Sequence, residues 1–293
     1  MNKSIIAVVV TYNRKNLLLK CLEGLIAQSV PLSRIILIDN ASTDGTKELL
    51  DKSSYASNSL LNYHLMPTNT GGAGGFHEGM RQAMQHEPAW IWVMDDDVSP
   101  EPDALEQLLK YTSISECIHP SRVLEDGSYC EWEHVFDPAT TAKLFLNDIS
   151  FKNGKEFCFA QTACFEGMLI SSRLVKKIGL PRKEFFIVED DTLYGFLASL
   201  HTNVLYVRSA QLKKLLTPPV GLSPFKAYYA ARNKIWLHKI LKREGLLDRG
   251  AIFRFNLYYP FYILLLILNN PTLSIIRSAG KGVIEGLKRH PEK

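Results

Sequence analysis

The segment Ala89-Trp90-Ile91-Trp92-Val93-Met94-Asp95-Asp96-Asp97-Val98 constrains this chain more than any other, because a short apolar run stops abruptly at three carboxylates. Such a run reads as a buried strand, and a buried strand of an α/β sheet delivers the residues after it to the carboxyl edge, where these proteins bind ligands. Three adjacent acids repel one another unless positive charge sits among them. Hard oxygen donors suit Mg²⁺ or Mn²⁺, and Asp95 and Asp97, at i and i+2, reach the same side. The local alternative is a helix start: Ser99-Pro100-Glu101-Pro102 offers Ser99 as N-cap, with acids ahead of it.

Alternation of strand and helix patterns runs through the first half. Ile5–Val10 is expected as a strand, Lys15–Gln28 has helical apolar spacing through Leu18, Leu22 and Leu25, and Arg34–Asp39 is the next strand. A helix from about Thr46 and a strand near Tyr63–Met66 come next. Repeated βα units imply an α/β fold whose mixed sheet is mostly parallel, with helices on both faces. Asp39 then stands at a strand's carboxyl end, where turn chemistry and ligand binding are equally good explanations. Asn69-Thr70-Gly71-Gly72-Ala73-Gly74-Gly75-Phe76 precedes a helix reaching about His86. Glycines allow close backbone approach and a helix N-terminus favours anions, although a flexible turn accounts for the run as well. The spacing fits neither the dinucleotide fingerprint nor the P-loop.

The stretch from 112 to 160 reads as a hairpin, His119–Leu124 and Tyr129–His134, laid over the site, with Trp132 and Glu133 placed to touch a sugar acceptor, although an aromatic in a hairpin is more often packing. Glu166, in Phe165-Glu166-Gly167, is grouped with them. After a short helix ending at Gly179, Phe185-Phe186-Ile187-Val188 leads into Glu189-Asp190-Asp191, a second acidic cluster before a helix to about His201. Acids in a first helical turn offset the macrodipole; one of them held near a hydroxyl also serves as a general base.

Charge is unevenly distributed. From Arg208 onward there are 16 Lys and Arg against 4 Asp and Glu, whereas the preceding part holds 18 against 26. The organisation read from this is a catalytic unit over 1–212 and a basic, apolar helical region over 213–293. Phe255–Leu268 falls short of the ~20 apolar residues that span a bilayer. With Arg249, Arg254, Arg277 and Lys281 around it, it suits a helix lying on an anionic membrane surface, and burial in a homodimer is the competing use. Nucleic acid is not expected as a partner. Five cysteines without a C-x-x-C pair speak against a disulfide framework or a zinc site and for a reducing cytoplasm, and the run after Lys3 is too short for a signal peptide.

Taken in order, Val9–Arg14, Ile38–Gly45, Asn69–Phe76, Asp95-Asp96-Asp97, Phe185–Tyr194 and Tyr228–Asn233 resemble the bacterial family 2 inverting glycosyltransferases, in particular the galactofuranosyl and rhamnosyl transferase branch. That resemblance implies the GT-A fold and transfer of a sugar from a nucleotide diphosphate to an acceptor hydroxyl. Carried over, Thr11, Arg14, Asp39, Asn69, Gly71, Gly72 and Asp96 border the donor, a UDP-sugar or dTDP-sugar. Asp95 and Asp97 hold Mn²⁺ or Mg²⁺, and Asp191, beside Asp190, is the general base. It further implies a lipid-linked or oligosaccharide acceptor at the inner face of the cell membrane. The branch's usual histidine after the base helix is missing from Arg208–Lys214, which leaves two protein ligands for the metal, or Lys213 or Lys214 on the diphosphate. Leu193 and Leu197 replace the branch's usual Glu and Arg.

Overall fold

A computed structural model describes residues 4–130, 134–146, 154–216 and 221–291. The elements that position the site are β1 (Ile5–Thr11), α1 (Lys15–Ile26), β2 (Arg34–Asp39), α2 (Thr46–Asp51), β3 (Leu61–Leu65), α3 (Gly71–Met84) and β4 (Trp90–Asp95). They continue with β5 (Val98–Pro100), α4 (Ala104–Leu109), β6 (Cys117–Val123), β7 (His134–Asp137), β8 (Ala142–Phe145), β9 (Phe157–Ala160) and β10 (Met168–Ser171). Then come α5 (Ser172–Ile178), α6 (Asp190–Ser199), β11 (Val204–Lys214) and three C-terminal helices, α7 (Pro224–Arg243), α8 (Ala251–Leu268) and α9 (Leu273–Lys288).

Nine of the described strands form one sheet in the order β3-β2-β1-β4-β10-β6-β11-β5, with β9 also on β11. The first four are parallel, β10 runs antiparallel between β4 and β6, and β11 is parallel to β6 but antiparallel to β5 and β9. Strand alternation divides the core. Ile5, Ala7 and Val9 face α1 and α4, while Ile6, Val8 and Val10 face α3 and its Phe76, Met80 and Ala83.

Two expected elements are rearranged. Ser99 caps no helix: Val98–Pro100 pairs with the end of β11, and the next helix starts at Ala104. Backbone pairing here outweighs a favourable cap sequence, since Pro100 at a sheet edge needs no N–H partner. Nor is 119–134 a free hairpin. Its first arm is β6 inside the main sheet, joined by a tight turn to Ser128–Cys130 through Leu124 N–H to the Ser128 carbonyl and Cys130 N–H to the Arg122 carbonyl, each 2.8 Å, and His134–Asp137 pairs with β8 in a separate two-stranded sheet.

The glycine run is the opening of α3 itself. Gly71 has φ +72°, and a Cβ there would lie 2.0 Å from the Phe186 carbonyl oxygen, so this position is closed to any side chain. A Cβ at Gly75 would meet Val10 at 2.5 Å, which lets the helix lie flat against β1. At Gly72 the nearest atom would be 4.0 Å away. Packing leaves that glycine unexplained, and it keeps the helix N-terminus open.

Helix α7 belongs to the catalytic unit's core. Trp236, Leu237, Ile240 and Leu241 pack with Phe185, Leu193 and Phe196 in one cluster. Helices α8 and α9 attach to its other side through Ala227, Ala231, Leu266, Ile275 and Ala279. The apolar helix begins at Ala251, four residues before the run read from the sequence, and its 18 residues make it long and apolar enough to cross a membrane.

Candidate active site

Three strands end in polar residues of the candidate site. Thr11 closes β1, Asp39 closes β2 and Asp95 closes β4; Thr11 pairs with Asp39 and its neighbour Val10 with Asp95 across parallel strands, so sheet geometry alone brings them to one edge. Thr11 Oγ1 donates to Asp96 at 2.6 Å, and Arg14 Nη1 lies 3.2 Å from Asp96 and 3.1 Å from Asp97. Burial pushes the Asp96 pKa up, only partly offset by the Thr11 hydrogen bond and Arg14. Asp39 accepts from Ser42 N–H at 2.8 Å and from the Tyr63 hydroxyl at 2.7 Å, which satisfies the turn reading while each oxygen keeps a lone pair. Asn69 Oδ1 accepts from Gly71 N–H at 2.8 Å, and Asn40 ties this segment to β2 through Thr70 N–H and the Gly71 carbonyl.

Asp95 and Asp97 do not stand alone: Glu166 joins them, with one oxygen of each within 4.8 Å of the others. Glu166 is thus set among the strand-end acids rather than beside an acceptor surface. The loop carrying it is fixed by Trp92 Nε1 donating to the Gly167 carbonyl at 2.9 Å and by Gly167 N–H bonding to Val93 at 2.8 Å. Three hard carboxylates at this spacing suit a divalent cation. Two cations of the chain already lie on Glu166, Arg122 at 2.5 Å and Lys214 at 2.6 Å, and Lys214 also reaches Asp97 at 3.1 Å. Burial favours the neutral acid at Glu166, but Arg122 and Lys214 overcome it and hold the pKa at about 2. At Asp95, burial and the neighbouring Asp97 and Glu166 charges drive the pKa well up. Lys214 arrives by register, because the antiparallel β11–β5 pairing sets it opposite Val98. Lys213 points elsewhere and pairs with Glu101 at 2.7 Å.

The second acidic group opens α6. Asp191 Oδ1 accepts from Thr192 N–H at 2.6 Å, and among the described residues no donor reaches its Oδ2. Burial raises both members of the pair, Asp190 to about 8 with help from Asp191, and Asp191 to about 6 against the pull of Lys143. Glu189, buried between Lys143 and Lys234 at 3.4 Å each, is held at about 2 by these cations against its burial. The two acidic groups share a neighbourhood. Burial pushes the Cys164 thiol up, Arg122 opposes that, and the Glu166 and Asp191 carboxylates both add to the rise.

The turn before Asp190 is strained. Phe186, Val188 and Glu189 have φ of 66°, 70° and 71°, a region that a β-branched valine rarely enters. Asn233 holds it, its Nδ2 lying 3.0, 2.7 and 2.7 Å from the carbonyls of Phe185, Ile187 and Val188. Arg232 Nη2 bonds to the Phe185 carbonyl at 2.8 Å, and Ala73 N–H bonds to that of Phe186 at 3.1 Å. In the sequence Arg232 and Asn233 belong to a motif that gives them no task. Arg122, Lys143 and Lys234 belong to no motif; a lone charge inside the apolar strand at 122, or beside Ile235-Trp236-Leu237 at 234, is the available signal. Trp132 and Glu133 lie outside the described residues.

A mixed α/β sheet with acids gathered at the carboxyl ends of its parallel strands, and a second acid pair opening a helix whose preceding turn packs on the N-terminus of α3, is the GT-A architecture of a glycosyltransferase. Residues 6–171, more than half of the chain, match the model of Glycosyl transferase family 2, and the chain belongs to that family. A similar protein is Galactofuranosyltransferase GlfT1 of Mycobacterium tuberculosis, 27% identical over 202 residues, which are 65% of this chain and 63% of the relative. The chain therefore spans less than two thirds of that relative's length. Among solved structures, S. aureus TarS (residues 1–349) superposes with a TM-score of 0.61 at 17% identity, over 97% of this chain and 81% of that one. A mannosyltransferase from Pyrobaculum calidifontis, solved with GDP-Man and Mn²⁺, superposes with a TM-score of 0.56 at 17% identity, over 97% and 75%.

Proposed function

We propose that this glycosyltransferase transfers galactofuranose from UDP-galactofuranose, with inversion, to a hydroxyl of a lipid-linked glycan. The supporting observation is the presence of two separate acid groups, Asp95, Asp97 and Glu166 in one and Asp190 and Asp191 in the other, the second opening a helix whose preceding turn packs on the N-terminus of α3. The galactofuranosyltransferase relative supports the choice of sugar. Thr11, Arg14, Asp39, Asp96, Asn69, Gly71 and the open helix position at Gly72 border the nucleotide and its phosphates in this reading. Asp95, Asp97 and Glu166 would hold Mn²⁺ or Mg²⁺, which stabilises negative charge on the departing diphosphate. Asp191 takes the acceptor's hydroxyl proton on Oδ2, because that oxygen faces no donor among the described residues. Glu189, fixed between Lys143 and Lys234, and the Asn233 clamp hold Asp191 in place for in-line attack.

The exposed apolar side chains of α8, including Phe253, Leu257, Phe261 and Leu264, together with the basic charge around them, support contact with the anionic inner surface of the cell membrane. A thermal-shift panel of UDP, UDP-galactofuranose, dTDP-rhamnose and GDP-mannose, each with and without Mn²⁺, tests the donor assignment. At 100 times its Kd a donor stabilises the native state by about 2.7 kcal/mol. A shift with dTDP-rhamnose alone reassigns the sugar, and no shift with any nucleotide removes the donor reading.

A further inference from the structure

The trio of acids is already matched by cations of the chain itself. Glu166 Oε2 faces Arg122 and Oε1 faces Lys214; Asp97 Oδ1 faces Lys214 and Oδ2 faces Arg14. Every carboxylate oxygen of Glu166 and Asp97 therefore already faces a cation, and a divalent ion entering the trio meets like charge at these ligands, which is relieved when one of those cations moves away. Arg122 is fixed: its side chain is buried, and Nη2 also bonds to the Cys130 carbonyl at 3.1 Å. Lys214 is the natural one to leave, a compact charge on a flexible stem that sits on two of the three ligands at once. Formal charge points the same way. Asp95, Asp96, Asp97 and Glu166 face Arg14, Arg122 and Lys214, so the cluster is one charge short of neutral. A divalent ion alone would overshoot to a net positive site within a partly buried edge, whereas an ion arriving with a diphosphate would not.

Resting on the proposed cation site, we infer that Lys214 is its resident counter-ion: the ammonium occupies Asp97 and Glu166 in the free protein and moves onto the donor's phosphate oxygens when cation and nucleotide enter together. No bond is made or broken in this exchange. Its consequence is that Mn²⁺ and nucleotide bind synergistically, and that Lys214 is what makes binding of Mn²⁺ alone weak. The reciprocity of linkage requires Mn²⁺ to tighten nucleotide binding by the same factor.

The test is Mn²⁺ binding followed by the electron paramagnetic resonance signal of free Mn²⁺, with and without UDP, on the full chain. Wild type is expected to bind Mn²⁺ weakly alone and at least about tenfold more tightly with UDP. Lys214→Met is expected to bind Mn²⁺ alone about tenfold more tightly than wild type and to gain less than wild type from added UDP. Lys213→Met removes the same charge one residue away, from a lysine paired with Glu101, and is expected to behave as wild type. Unchanged or weaker Mn²⁺ binding by Lys214→Met, or an equal gain in Lys213→Met, overturns the proposal. Should Lys214→Met not fold, tight Mn²⁺ binding by wild type without nucleotide overturns it unaided. Absence of Mn²⁺ binding in every protein and condition, with UDP still bound, is a different failure, since it removes the cation reading on which this one rests.

Discussion

Replacing Asn233 with alanine tests whether the strained turn before Asp190 is held by α7. Asn233 is fully buried, and its amide is oriented by Arg232 Nε donating to Oδ1 at 2.8 Å. Its two N–H groups are shared among the carbonyls of Phe185, Ile187 and Val188, so the substitution removes about two buried hydrogen bonds. The Phe185 carbonyl keeps Arg232 and the Ile187 N–H, so the Ile187 and Val188 carbonyls are the ones that lose their donor, at about 1–3 kcal/mol each, which sets the expected loss at ~2–6 kcal/mol. The turn has its own route of relief, because three left-handed residues cost about 1–3 kcal/mol each and relax once the clamp is gone. Urea denaturation measures the first effect, and single-turnover transfer with saturating donor measures the second. We expect the rate of the chemical step to fall about 100-fold or more, as misplacing a reacting group does, with donor affinity nearly unchanged. Asn233→Asp, which sets a carboxylate against three carbonyl oxygens, is expected to be worse. A wild-type rate in Asn233→Ala, combined with a stability loss below about 1 kcal/mol, refutes the clamp.

Four further outcomes are expected. Asp191→Asn is expected to lower the transfer rate by about 10²–10⁴ while leaving UDP binding intact, as measured by stopped-flow and calorimetry; unchanged turnover removes the base assignment. A base raised to about 6 works only when ionised, so transfer should fall as pH drops through that value, and a pH–rate profile flat down to pH 5 contradicts it. Burial raises Asp190 above its unfolded value, so the stability linked to its proton is complete below the ordinary carboxylate range and is lost as pH rises through about 8. Asp190→Asn should therefore melt higher than wild type at pH 9, with the gain shrinking toward pH 5. In vesicle flotation, binding to anionic liposomes is expected at low salt and to weaken above a few hundred millimolar, with Leu257→Asp and Phe261→Asp reducing it; flotation of the double variant at wild-type level rules out the α8 face.

Local residue pattern was enough to specify the framework: the runs Ile5–Val10, Arg34–Asp39 and Ala89–Met94 are too apolar and too short to be anything but buried strands. The polar residues that close them, Thr11, Asp39 and Asp95, consequently had to meet at one sheet edge. That inference is local, since strand periodicity and parallel connection leave little choice. Which distant groups complete that edge was settled by the assembled fold alone. Lys214 stands 117 residues from Asp97, and Glu166 and Arg122 are brought together by an antiparallel strand inserted between parallel ones. Asn233 reaches back 45 residues to a turn whose backbone no propensity scale would assign to phenylalanine and valine. Register and long-range hydrogen bonds set these pairings. They depend on the whole sheet and the helix across it, and so leave almost no mark on the neighbouring sequence.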